Sequence, residues 1–214
     1  MPLFKIINHD LETKILVWKI SETLDELLFE TRLNENSKIR LQKMKSNLHQ
    51  RAYLSIRKML EIAGYSDFDM YYDNSGKPHL KPKNCHTEHV EVSISHSHEF
   101  ATLIISKKPV GIDIEMLKEK TLKIAQRFMD VLHLENLSNT EIIKKATVIW
   151  GIKETVFKIK NEKGISFPDH IFEEQFQLCD NKTTAQLRYN NKIENFNIFF
   201  QEIEGYVLVY GFER

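Results

Sequence analysis

Cysteine is scarce in this chain. Cys85 and Cys179 are the only 2 among 214 residues, and neither belongs to a C-x-x-C pair. That excludes a disulfide framework and a thiolate metal or redox centre, and it fits a reducing compartment. Net charge is missing too: 30 Lys and Arg balance 30 Asp and Glu. No overall field would gather nucleic acid, so any phosphate must be held by local basic clusters. No apolar run approaches the roughly 20 residues of a membrane span. The opening stretch, Met1 to Asp10, is too short and too polar for a secretory leader. A cytoplasmic protein is expected, with neither membrane nor nucleic acid among its partners. Also absent are a G-x-S-x-G elbow, an H-E-x-x-H helix and any low-complexity linker.

What remains is an ordinary globular composition, 42% hydrophobic and 28% charged. Leu3 to Ile7 and Lys14 to Ile20 read as strands, and Ser21 or Thr23 caps a short helix. From Ser37 to Ala63 the spacing predicts one long amphipathic segment, its apolar stripe including Ile39, Met44, Leu48, Leu54 and Leu60. Its other face is basic: Lys38, Arg40, Lys43, Lys45, His49, Arg51, Arg57 and Lys58. Asp73-Asn74-Ser75-Gly76 marks a turn, and Lys77-Pro78 follows it directly. Val90 to Ser97 alternates as a strand ending in Ser95-His96-Ser97-His98, and Phe100 to Ser106 is a second, apolar strand. Thr121 to Leu132 reads as a helix. Four tail strands follow, Phe172–Leu178, Ala185–Tyr189, Ile198–Ile203 and Tyr206–Phe212. Each half mixes strands with one long helix, which points to an α+β fold of two pseudo-duplicated lobes, residues 1–105 and 106–214.

Two stretches carry the chemistry. In Gly111-Ile112-Asp113-Ile114-Glu115 the apolar residues alternate with Gly111, Asp113 and Glu115. This is the pattern of a half-buried strand with both acids on one face, about 6.6 Å apart. Lys107-Lys108-Pro109 is expected to turn Phe100–Ser106 back onto it, placing the acids in one sheet with Ser95 and His96. In the second stretch Ser138 and Glu141 form a capping box. Ile142, Ile143, Ala146, Ile149, Trp150 and Val156 then recur at helical spacing. Trp150, Glu154 and Lys158 share a face of that helix, flanked by Lys153 and Phe157. Three carboxylates with lysines nearby suit Mg²⁺ holding a phosphorylated substrate. A serine hydrolase would pair Ser95 or Ser97 with a neighbouring histidine, but adjacent strand residues face opposite ways. The alternative is a histidine–carboxylate metal-dependent hydrolase built from His96, His98, Asp113 and Glu115.

Gly111-x-Asp113-x-Glu115 followed by Trp150-x-x-Lys153-Glu154-x-x-x-Lys158 resembles the signature of the 4′-phosphopantetheinyl transferases. Gly76-Lys77-Pro78 and Ile94-Ser95-His96-Ser97 resemble upstream elements of the longer, two-lobed Sfp-type branch. The resemblance implies transfer of the phosphopantetheine arm of coenzyme A to a serine of an apo acyl or peptidyl carrier protein, releasing 3′,5′-ADP. It implies that Asp113, Glu115 and Glu154 ligate Mg²⁺, with Glu154 also the base and Lys158 the stabiliser of charge on the pyrophosphate. Lys77, Ser95 and His96 would bind the phosphates of coenzyme A. Arg40 and Arg57 fit the 3′-phosphate best by position, with Lys43, Lys45 and Arg51 as competitors. On this resemblance the first lobe holds the coenzyme A phosphates and the second the metal site and catalytic helix, in a monomer.

Overall fold

Leu3–Asp10 (β1) and Thr13–Lys19 (β2) pair antiparallel across a turn in which the Asp10 carboxylate accepts from the Glu12 amide at 2.9 Å. They open a computed structural model that describes residues 2–82 and 89–214; Cys85 falls outside these. The chain divides into two compact units, Met1–Lys107 and Lys108–Arg214. Both are α+β, and each lays an antiparallel sheet against one principal helix.

After β2 the first unit runs through helices Leu24–Glu30 (α1), Glu35–Gln42 (α2) and Asn47–Ile62 (α3). A short hairpin, Met70–Tyr72 (β3) and Pro78–Leu80 (β4), precedes strands Glu91–Ser97 (β5) and Phe100–Ser106 (β6). The main sheet has the order β1-β2-β6-β5. Ile56, Met59 and Leu60 of α3 pack on Leu16, Trp18, Val92 and Leu103 of its strands. Thr23 caps α1 in a capping box with Glu26. The segment expected as one helix from Ser37 to Ala63 is two. It stops at Gln42 and restarts behind Ser46, whose side chain accepts from the His49 amide. The break lets α2 fold back, so that Leu41 joins Leu27, Leu33, Tyr53 and Leu54 in a second small core. A straight helix would have left Leu41 in water.

The second unit begins with Val110–Met116 (β7) and continues through 3-10 segments Glu119–Arg127 and Val131–Leu134 to the helix Asn139–Lys160 (α4). Phe167–His170 (α5), Ile171–Glu173 (β8), Lys182–Tyr189 (β9), Lys192–Ile203 (β10) and Tyr206–Glu213 (β11) complete it. The sheet order is β7-β11-β10-β9-β8. Where an α-helix was expected from Thr121 to Leu132, the chain forms these two 3-10 segments instead, and Leu122, Ile124, Ala125, Phe128 and Met129 supply the apolar contacts. β7 also departs from expectation, because it does not share a sheet with β5 and β6. Both edges of β6 are taken, by β2 and β5, so β7 pairs with β11 instead.

β7 is buried on both faces up to Ile114 rather than on one. Its second cover is α4, which approaches closely because Gly111 has no side chain. A Cβ there would lie 2.3 Å from the Thr155 carbonyl oxygen. Gly211, the register partner of Gly111 on β11, keeps the next strand equally bare beneath Thr155. We expect Gly111→Ala to push α4 off the strand and to cost about 2 kcal/mol or more, within the range of overpacked cores. Urea unfolding of the purified variant reads this directly; an unchanged midpoint would show that the helix can yield.

Candidate active site

The face of β7 that carries Gly111 carries Asp113 two residues on, and α4 covers both. The Asp113 side chain is buried, 3% exposed, and lies under Gly151 of the helix, where an added Cβ would stand 3.8 Å from its Oδ2. About two turns further along α4, Lys158 reaches down. Its Nζ donates to Asp113 Oδ1 at 2.7 Å and to the Ile112 carbonyl at 3.0 Å. A carboxylate withdrawn from water needs such a partner, because desolvation would otherwise favour its neutral form. Glu115, next on the same face, is half-buried.

Glu154 sits on α4 between Gly151 and Lys158. Its pKa is raised to about 7 by burial first, then by repulsion from Asp113 and Glu115, with Lys158 pulling it back. The three acids therefore sense one another, and the Lys158 ammonium works against their repulsion at Glu154. This is a set of hard oxygen donors, and it fits a hard divalent cation. Among the described residues, however, no three His, Cys, Asp or Glu side chains are grouped to hold a metal by themselves. A histidine–carboxylate hydrolase centre needs such a group and gains no support. A cation sharing one or two carboxylates with phosphate oxygens and water does not need one.

Lys153 behaves differently from Lys158. It points to the other side of α4, where its ammonium is 3% exposed, pairs with Glu173 of β8 at 2.5 Å and donates to the Ile171 carbonyl. Burial lowers its pKa, and Glu173 counters this. Glu173 also faces His133 at 3.2 Å. Lys153 thus ties α4 to β8 and adds nothing to the charge around Asp113. Trp150 packs against the core: its ring lies edge-on to Phe128 and Phe167.

In the first unit, Val92, Ile94 and His96 share the face of β5 that packs toward α3, and the His96 ring meets the His49 ring at 5.4 Å. Ser95 faces the other way and is buried. Lys77 leaves the β3–β4 turn with its Nζ 3.8 Å from a Glu91 oxygen, so it is a half-buried, partnered lysine. The expected basic face does not extend to Arg57. Its guanidinium is 1% exposed, bonded to the equally buried Asp67 at 2.9 Å and stacked 3.4 Å over Tyr53. A guanidinium so committed has no donors facing water. Arg40 is exposed and stacks 4.0 Å over Tyr72. Arg51 donates to the Ile20 carbonyl at 2.9 Å, while its Nε has no hydrogen-bond partner.

Residues 109–210, which contain the whole Asp113–Lys158 assembly, match the family model described as the 4′-phosphopantetheinyl transferase superfamily. The second unit is therefore similar to the 4′-phosphopantetheinyl transferase superfamily over nearly all of its length. The chain is also 32% identical over 121 residues to the 4′-phosphopantetheinyl transferase gsp of Aneurinibacillus migulanus, covering 55% of this chain and 49% of that protein. It is 30% identical over 96 residues to a 4′-phosphopantetheinyl transferase of Bacillus subtilis, covering 44% and 41%. The chain thus spans half or less of the length of these relatives. Within the superfamily region, Asp113, Glu115, Glu154 and Lys158 are the side chains brought together, and Lys153 is the motif residue turned away. Sequence reasoning missed Asp67 and Glu173, the acids that capture Arg57 and Lys153, because no short-range spacing announces a partner 10 or 20 residues off.

Lys153→Met should leave Glu173 buried without its cation and cost roughly 3–5 kcal/mol, whereas Lys153→Met with Glu173→Met should regain most of it. Denaturant titration of both variants checks this, and a double variant no better than the single would refute the pairing. For Glu154 the sign runs the other way from a salt-bridged acid. Its folded pKa of about 7 lies above the unfolded value of 4.5, so the wild type loses stability as pH climbs from about 4.5 to 7, then levels off. Metal-free Glu154→Gln lacks that loss and should be more stable than wild type by on the order of 2 kcal/mol at pH 8, but not at pH 4.5. Parallel melting curves from pH 4.5 to 8 would contradict the raised pKa.

Proposed function

We propose that this protein moves the 4′-phosphopantetheine arm of coenzyme A onto a serine of an apo acyl or peptidyl carrier protein and releases 3′,5′-ADP. The observation that carries the reading is the buried Asp113–Lys158 contact beside a Glu154 whose pKa stands near 7, inside the region that matches the superfamily. Asp113, Glu115 and Glu154 would hold Mg²⁺, which when bound would offset the charge of the coenzyme A pyrophosphate. Glu154 is the base: a carboxylate with a pKa near neutrality takes up a proton readily and is still ionised enough to act. It removes the proton of the carrier serine hydroxyl as the serine oxygen attacks the phosphorus bearing the pantetheine arm. The bond from that phosphorus to the bridging oxygen breaks, and the leaving group departs as 3′,5′-ADP. Lys158 lies near enough to the acids to stabilise the negative charge that collects on the leaving oxygen.

Lys77, Ser95 and His96 are proposed to hold coenzyme A phosphates. For the 3′-phosphate the choice shifts from Arg57, spent on Asp67, to Arg51. Arg51 lies on the same α3 as His49, which touches His96, and its Nε has no bond of its own. Arg40 remains exposed on α2, where with Lys38 and Lys43 it suits the acidic surface of a carrier protein. Action in the cytoplasm as a monomer completes the reading; no helix among the described residues is long and apolar enough to cross a membrane.

Intact mass of an apo acyl carrier protein, incubated with this protein, coenzyme A and Mg²⁺, tests the reaction. It should rise by one phosphopantetheine, and EDTA or a serine-to-alanine carrier should abolish the gain. Asp113→Ala should cut transfer at least 100-fold, on the scale of losing a main electrostatic element, while the protein stays folded. Near-normal turnover in that variant would sink the metal assignment.

A further inference from the structure

Asp73 opens the turn between β3 and β4, and its carboxylate organises everything up to Lys77. Oδ1 accepts from the Ser75 amide at 2.9 Å, the Ser75 hydroxyl at 2.7 Å and the Lys77 amide at 2.9 Å. Oδ2 faces His79 Nε2 at 3.1 Å, and the His79 ring stacks on Tyr71 with centroids 5.3 Å apart. The main chain repeats the pattern. The Asp73 amide donates to the Lys77 carbonyl at 3.0 Å, and the Gly76 amide donates to the Asp73 carbonyl at 3.0 Å. Gly76 takes a φ of +86°, which lets the chain double back so tightly. Lys77 is thereby gripped by one residue at both its amide and its carbonyl. At the far end of its side chain, Nζ meets Glu91 of β5 at 3.8 Å.

We propose that Asp73 is a positioning residue for Lys77, fixing the backbone from which the lysine reaches the phosphates of coenzyme A. The inference rests on the reading of Lys77 as a phosphate ligand. A lysine on a loose turn would lose both backbone and side-chain freedom on meeting a phosphate, and that loss weakens binding. Here the backbone part is settled in the free protein, because a charged acceptor with four partners holds the loop shut. The Ser75 hydroxyl bond, more than any other, keeps the Asp73 carboxyl well below the usual carboxylate range, so these contacts favour the charged form of the acceptor. Asp73 touches no substrate in this arrangement. It acts only through where Lys77 begins.

Calorimetric titration of coenzyme A into the wild type, Asp73→Ala, Asp73→Asn, Lys77→Ala and the double variant Asp73→Ala/Lys77→Ala decides the matter, with Tm measured on each. Asp73→Ala should weaken coenzyme A about tenfold, and Asp73→Asn, which keeps the Oδ1 acceptor, about threefold or less. The double variant should bind no more weakly than Lys77→Ala alone, because the anchor has nothing left to position. If the two losses multiply instead, Asp73 serves the hairpin independently of Lys77 and the proposal is overturned. An unchanged Kd in Asp73→Ala beside a weakened Lys77→Ala overturns it too. An unchanged Kd in Lys77→Ala defeats the ligand reading itself, a separate signature. Should Asp73→Ala fail to fold, Ser75→Ala removes the hydroxyl contact to the carboxylate and gives the same cycle with a smaller loss.

Discussion

The ammonium of Lys158 against the carboxylate of Asp113, 2.7 Å apart beneath a helix, makes the rest of the second unit workable. An ionised acid in that position without a cation would change its protonation state or disrupt the packing. With the contact in place, α4 can lie almost on the backbone of β7, provided that Gly111 and Gly211 stay bare. Glu154 lacks an equally direct partner, and its pKa moves instead. One lysine thus divides the acids of a single surface into one in direct contact with a cation and one whose pKa is raised to about 7.

The same physics recurs in two places where it serves structure alone. Arg57 with Asp67, and Lys153 with Glu173, are ion pairs with both members nearly out of water. Each joins a helix to a segment it would otherwise only touch: α3 to the loop before β3, and α4 to β8. Pairs of this kind add little net stability over an apolar packing of equal volume, but removing either member is costly. They also take a basic residue off the surface, and so out of any contest for phosphate.

This is where the sequence and the structure part company. Short-range features were legible. The Ser138–Glu141 box, the cap at Thr23, the period-two run around Asp113 and the shared helix face of Glu154 and Lys158 all follow from spacing, because caps and periodicity are set within a few residues. The α+β plan followed from them. The partners of Arg57 and Lys153 were not legible, since either lysine or arginine on a helix reads as solvated until the opposing acid is found. Nor was the sheet in which β7 would sit, which depends on β6 having no free edge. The break at Ser46 was hidden for a related reason: the apolar stripe continued through it, and only the second core around Leu27 and Tyr53 shows why the chain turned.

Exposure along β7 rises in one direction, from Val110 through Ile114 buried to Glu115 and Met116 half-buried. Solvent reaches the acid face from the Glu115 end, and Asp113 lies behind it. Of the two acids on this strand, Glu115 is therefore the one that water meets first and Asp113 the one it meets last.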